Sequence, residues 1–136
     1  MKVFLDTNVI LDFFMRREPF FEDAKTIIAL GYNRCCELYV SSLSFSNIAY
    51  IARKKFQGDD LYKIFSGIRE FSKITAVDED SIDSAIQLKA DDFEDALQYF
   101  SAKEANVDCI VTRNTKDFIF SDTEILTPKD FLARYF

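Results

Sequence analysis

The sequence contains no histidine, and that single absence removes several chemistries together: Ser-His-Asp and Cys-His hydrolysis, His-ligated zinc and imidazole acid–base catalysis. Hydrolytic chemistry must then rest on carboxylates, Lys, Tyr or a metal held through oxygen, and oxygen donors favour Mg, Mn or Ca. Glycine and proline are scarce, at 3 and 2 residues. With no linker, repeat or low-complexity stretch to divide it, the chain reads as a single domain, 1–136. Cysteine is odd in number, and the adjacent Cys35 and Cys36 lack zinc-ligand spacing. Together with Cys109 they read as small core residues or free thiols of a reducing compartment. No apolar run reaches about 18 residues, and Met1-Lys2 leads into a strand-like segment instead of a signal-peptide core. A soluble, cytoplasmic protein without a membrane segment is expected.

What is present points to a packed core. The chain is 49% hydrophobic, enough at 136 residues to bury a sizeable interior, and Phe, with 15 copies against no Trp, carries much of it. The net charge of −6 runs against nonspecific binding to nucleic acid, where Lys and Arg neutralise phosphates. A share of that negative charge gathered into one metal-binding cluster would reverse the local field once a divalent ion was bound.

The order of elements is the main guide to the fold. Lys2 to Asp6 (KVFLD) predicts a short buried strand, and Asn8 to Met15 a helix after the cap-like Asp-Thr-Asn. Pro19 is expected to start a second helix through Ala29. Glu37 to Ser41 reads as a strand, and Phe45, Ile48, Ala49, Ala52 and Phe56 follow at helical spacing, with Gly58 expected to end that helix. Asp60 to Phe71 repeats the helical pattern, Lys73 to Val77 is a third strand, and Asp78 to Lys89 is helical again. A further helix runs from the acidic segment Asp91-Asp92-Phe93-Glu94-Asp95 to about Ala105, before a fourth strand, Cys109 to Thr112, and a short fifth over Thr123 to Leu126. Strands separated by helices imply crossovers, hence an α/β fold with three α/β/α layers around a mainly parallel central sheet.

In open parallel sheets functional groups gather at the carboxyl ends of the strands. Asp6 ends the first strand, Asp117 lies a few residues beyond the fourth, and Asp95 begins the helix that feeds it. Singly, these residues could be a helix cap, a dipole partner and a turn residue. Together on one rim they would repel one another and raise their own pKa values unless a cation compensated. Charge pattern alone does not choose among Asp91, Asp92, Glu94 and Asp95. A phospho-acceptor receiver domain would need an acidic pair before the first strand-end aspartate, and KVFLD supplies none.

LDTNVILDFF, FEDALQYFSA and CIVTRNTKDF, in that order across nearly the whole chain, resemble the motifs of PIN-domain ribonucleases, which include the VapC-like toxins of bacterial toxin–antitoxin pairs. The resemblance implies an acidic pocket holding Mg2+ or Mn2+ and cleaving single-stranded RNA. It assigns Asp6, Asp95 and Asp117 as catalytic and metal-holding, and Asn8, Asn47, Thr112, Arg113 and Asn114 as supporting or substrate-binding positions. An antitoxin protein and a second copy of the chain, as a homodimer, are the partners it suggests. One departure stands out: Asn47 occupies the place after the second strand where the family pattern has glutamate. An amide oxygen can ligate a hard cation but brings no charge and cannot act as a base, so weaker metal binding and attenuated activity are expected. A PIN-like module that binds RNA or protein without efficient turnover is the alternative. Arg113 and Lys116 flank Asn114 where cations could meet phosphates, and Arg16, Arg17, Arg53, Lys54 and Lys55 form two further basic clusters suited to an RNA track.

Overall fold

Alternation along the central strands decides which layer each side chain faces. The computed structural model describes residues 1–136 as β1 (Lys2–Leu5), α1 (Thr7–Phe14), α2 (Phe21–Tyr32), β2 (Glu37–Ser41), α3 (Ser42–Ile51), α4 (Asp59–Phe71), β3 (Ser72–Thr75), α5 (Glu79–Leu88), α6 (Phe93–Glu104), β4 (Cys109–Val111), a single-turn 3-10 helix (Thr115–Phe118), β5 (Glu124–Leu126) and α7 (Pro128–Tyr135). All five strands pair in parallel, in the order β3-β2-β1-β4-β5.

Val3 and Leu5 of β1, Leu38 and Val40 of β2, and Cys109 and Val111 of β4 face one layer, where they meet Ile10 of α1, Ile27 of α2, Ile48 of α3, Ile68 of α4 and Phe131 of α7. The intervening Phe4, Tyr39 and Ile110 face the other layer, against Tyr99 and Ala102 of α6 and Phe118 of the 3-10 helix. The period of 2 in the strands thus divides one apolar run between two helical layers. Each fully buried Ile, Leu or Phe adds about 2 kcal/mol to the driving force for this arrangement. No helix is long and apolar enough to cross a membrane.

Several element boundaries differ from the sequence reading. Pro19 lies ahead of α2, which starts at Phe21 and continues past Ala29 to Tyr32. Gly31 is carried inside its last turn because a Cβ there would collide with the Leu38 side chain. Gly58 does not end α3: that helix stops at Ile51, and Gly58, at φ 55°, precedes α4. Phe56 keeps its inward position through a hydrogen-bonded turn, its N–H donating to the Ala52 carbonyl at 2.8 Å. That turn reproduces helical spacing without continuing the helix.

Candidate active site

β1 has β2 on one side and β4 on the other, so chain connections depart in opposite directions at its carboxyl end and leave a crevice there. Asp6 occupies that end. Its backbone N–H still pairs with the Val111 carbonyl at 3.0 Å, while its extended backbone (φ −68°, ψ 152°) makes it the N-cap of α1. One carboxylate oxygen, Oδ1, accepts from Thr7 N at 2.8 Å; the other, Oδ2, accepts from Thr112 Oγ1 at 2.8 Å and Asn8 Nδ2 at 3.3 Å. Asp6 and Thr112 are both buried. Burial pushes the Asp6 carboxyl up to about 6; the Thr112 hydrogen bond opposes this, and the charges of Glu94 and Asp117 add to it.

The groove beside Asp6 measures 530 Å3, and Asn8, Asn47, Glu94, Asp95, Asn114 and Asp117 line it as well. Asp95 enters from the first turn of α6, its N–H donating to the N-cap carboxylate of Asp92 at 3.1 Å. Burial, and then the negative charges of Asp92, Asp6, Glu94 and Asp117, push its carboxyl up to about 8. Oxygen atoms of Asp92, Glu94 and Asp95 lie within 4.8 Å of one another. Asp117 reaches the groove from the 3-10 helix, whose turn is closed by Asp117 N–H donating to the Asn114 carbonyl at 3.0 Å.

The supporting positions divide by what they touch. Thr112 donates to Asp6 and accepts from Asn114 N at 3.1 Å, so it joins β4 to the loop that carries Asp117. Asn8 Oδ1 accepts from Arg113 N at 3.4 Å, and Asn8 Nδ2 donates toward Thr112 Oγ1 at 3.4 Å. The Arg113 guanidinium points to α1, where Nε and Nη2 meet the two oxygens of buried Asp12 at 2.7 and 3.1 Å, and it covers the Phe20 ring at 4.1 Å. Asn47 Nδ2 donates to Glu94 Oε1 at 2.7 Å. Lys116 lines a neighbouring hollow that shares Asp95 and Asp117 with the groove.

The sequence reading did not name Asp12, nor Ser44, and it offered Glu94 only among four acids without choosing it; nor did it name Gln98, whose Nε2 lies 3.1 Å from Glu94 Oε1 and 3.2 Å from Ser44 Oγ. A signal existed for Ser44, Glu94 and Gln98: Ser44 and Asn47 are three apart on α3, and Glu94 and Gln98 four apart on α6, so each pair marks a polar stripe on one face of its helix. The basic clusters also come together. Lys55 Nζ donates to the Met15 carbonyl at 3.3 Å, which brings the end of α1 beside the turn after α3. Arg17 lines the groove with the exposed Tyr50, and Arg53 stacks on the Tyr50 ring at 4.0 Å.

A family model described as PIN domain matches residues 2–116, from β1 into the first half of the 3-10 helix, so it takes in Asp6 and Asp95 and stops one residue short of Asp117. The chain belongs to the PIN-domain family. As a PIN domain it is similar to Ribonuclease VapC1 of Aquifex aeolicus (strain VF5), at 30% identity over 142 aligned positions covering 98% of this chain and 95% of that protein. Among solved structures, a toxin–antitoxin complex from Klebsiella pneumoniae matches with a TM-score of 0.69 at 21% identity, covering 93% of this chain and 97% of that one. VapBC-1 from nontypeable Haemophilus influenzae gives a TM-score of 0.69 at 18% identity, with 95% and 99% covered. These likenesses agree with the three-layer parallel fold. The groove's donors are carboxylate, amide and hydroxyl oxygens with no sulfur and no imidazole, a set that fits a hard divalent cation.

Proposed function

We propose that this PIN domain is a metal-dependent endoribonuclease acting on single-stranded RNA, the toxin of a toxin–antitoxin pair. The observation that carries the reading is the convergence of Asp6, Asp95 and Asp117 on one groove at the carboxyl ends of β1 and β4. These are three carboxylates whose mutual repulsion a structural role would not reward. Mg2+ or Mn2+, when bound, would supply Lewis acidity toward a phosphoryl oxygen and acidify a water.

The chain's own part in the reaction is holding and orienting. Asp6, Asp95 and Asp117 would hold the cation, and Thr112 and Asn8 orient the Asp6 carboxylate by donating to Oδ2. Arg17, Arg53 and Lys55 line the approach with positive charge, and Tyr50 offers an exposed ring on which a base can stack. In this reading water attacks the phosphorus and the bond to the 3′-oxygen breaks, which would leave a 5′-phosphate and a 3′-hydroxyl, a route that needs neither an imidazole nor the 2′-hydroxyl. A cytoplasmic location follows from this reading, since RNA and an antitoxin are the partners it proposes. The antitoxin is supported by the complexes in which the structural relatives occur, and a homodimer by Ile82 and Ile86, four apart on α5 and both open to solvent.

Attenuation by Asn47 is the weaker reading, because that amide is engaged with Glu94 and a carboxylate remains at this point of the groove. The test is cleavage of an end-labelled single-stranded RNA in Mn2+ or in EDTA, by wild type and Asp6→Asn. Cleavage should occur only with metal and fall about 100-fold or more in the variant. An intact RNA that the wild-type protein nevertheless binds would support the binding-module reading instead.

A further inference from the structure

On α3, Asn47 stands where the family resemblance leads one to expect an acid. Across the groove, Glu94 of α6 brings Oε1 to 2.7 Å from Asn47 Nδ2 and 3.1 Å from Gln98 Nε2. Both donors grip the same oxygen, Oε2 takes no hydrogen bond, and Glu94 lines the groove beside Asp6 and Asp95. The grip is itself braced: Gln98 is fully buried, and its Nε2 is also within 3.2 Å of Thr7 Oγ1 and of Ser44 Oγ, which bond each other at 2.7 Å.

A glutamate that only complemented the α6 dipole would need no partner on another helix and would lie in water. Two amides from two helices fixing one carboxylate oxygen is instead the arrangement by which ligating carboxylates are oriented. We infer that Glu94 supplies the carboxylate missing from α3, as a fourth acidic ligand of the divalent cation, with Asn47 and Gln98 as its positioning residues. The inference rests on the metal-dependent reading above. The acid has moved across the groove from α3 to α6, and the helix that lost it now holds it in place.

Calorimetric titration of the metal-free protein with MnCl2 tests this without reference to turnover. Glu94→Gln, which keeps the shape of the side chain, should weaken Mn2+ binding about tenfold or more, and Asn47→Ala should weaken it several-fold. In the Glu94→Gln background, Asn47→Ala should have no further effect, since a positioning residue has nothing left to position. Mn2+ binding by Glu94→Gln at wild-type affinity, in a protein whose Asp6→Asn variant has lost it, would overturn the inference and leave the site reading intact. Equal losses from Asn47→Ala in both backgrounds would also overturn it, by making Asn47 itself the ligand. Unchanged binding in Asp6→Asn would place the ion elsewhere and overturn both.

Discussion

Asp12 and Arg113 meet behind the groove, and their pairing couples the stability of α1 to the loop that carries Asp117. Asp12 is almost fully buried, and burial raises its pKa even though the Arg113 bond and charge pull the other way. The bidentate contact with a permanently charged guanidinium is therefore what compensates the carboxylate. Breaking a fully buried pair costs about 3–5 kcal/mol; with the Arg113 side chain 26% exposed, Asp12→Asn should cost about 2 kcal/mol, measured by urea unfolding. RNA cleavage should fall with it, because Arg113 is released from α1 and Asp117 stands four residues further on. Asp117→Asn separates the two effects. Asn suits a turn as well as Asp does, so its melting curve should match wild type while cleavage at saturating Mn2+ drops by about 100-fold. Full cleavage by Asp117→Asn would remove this residue from the site.

At the level of elements, two helical glycines should respond to alanine with opposite signs. In α2, a Cβ on Gly31 would run into the buried Leu38 side chain and come within 3.2 Å of the Phe71 carbonyl, a backbone group. Overpacking of this kind costs about 1–3 kcal/mol and outweighs a helix-propensity gain of about 1 kcal/mol, so Gly31→Ala should lower the melting temperature. In α4, a Cβ on Gly67 would meet the Phe14 ring at 3.6 Å, an ordinary contact. Gly67→Ala should raise stability by up to about 1 kcal/mol. A stabilised Gly31→Ala would mean that the contact of α2 with β2 is looser than the distances indicate. The same physics marks where the sequence could be read. β2 was legible because Glu37 to Ser41 has both a strand pattern and clear breaks, and α4 because Ile64 and Ile68 keep a helical period. α7 was not, since it has eight residues and only Pro128 and Phe131 are buried; the Thr127-Pro128 start with Asp130 was its one signal. The 3-10 turn under Asp117 leaves no periodic trace. Among the acids at 91, 92, 94 and 95, helical phase alone could not tell which enter the groove, because the choice depends on α3 and the β1 rim, far away in sequence.

For the whole molecule, the acidic site sets the direction in which stability changes with pH. The Asp6 and Asp95 carboxyls are pushed up to about 6 and about 8 in the fold, from an ordinary value of 3.8. Between those limits the folded chain retains protons that the unfolded chain has released, so metal-free stability falls as pH rises from about 4 to 8. The buried Asp6 alone accounts for about 3 kcal/mol of that fall. Glu37, Asp78 and Asp122, whose carboxyls are lowered, act in the opposite sense, but their contribution is lost only in acid, below the ordinary carboxylate range. No imidazole titrates between pH 5 and 8 to mask the slope. A divalent cation reverses it, because the same carboxylates must lose their protons to bind, and the stabilisation RT ln(1 + [L]/Kd) grows as they do. Thermal melts in EDTA should therefore show the melting temperature falling from pH 5 to 8. Melts in Mn2+ should show a metal increment that is small at pH 5 and largest at pH 8. In the Asp6→Asn, Asp95→Asn double variant the increment should vanish and the slope should shrink to the remainder left by Asp12 and Glu104, whose carboxyls are also raised. A slope that persists there undiminished would assign the pH dependence to groups outside the groove, and an increment that persists would put the cation on other ligands.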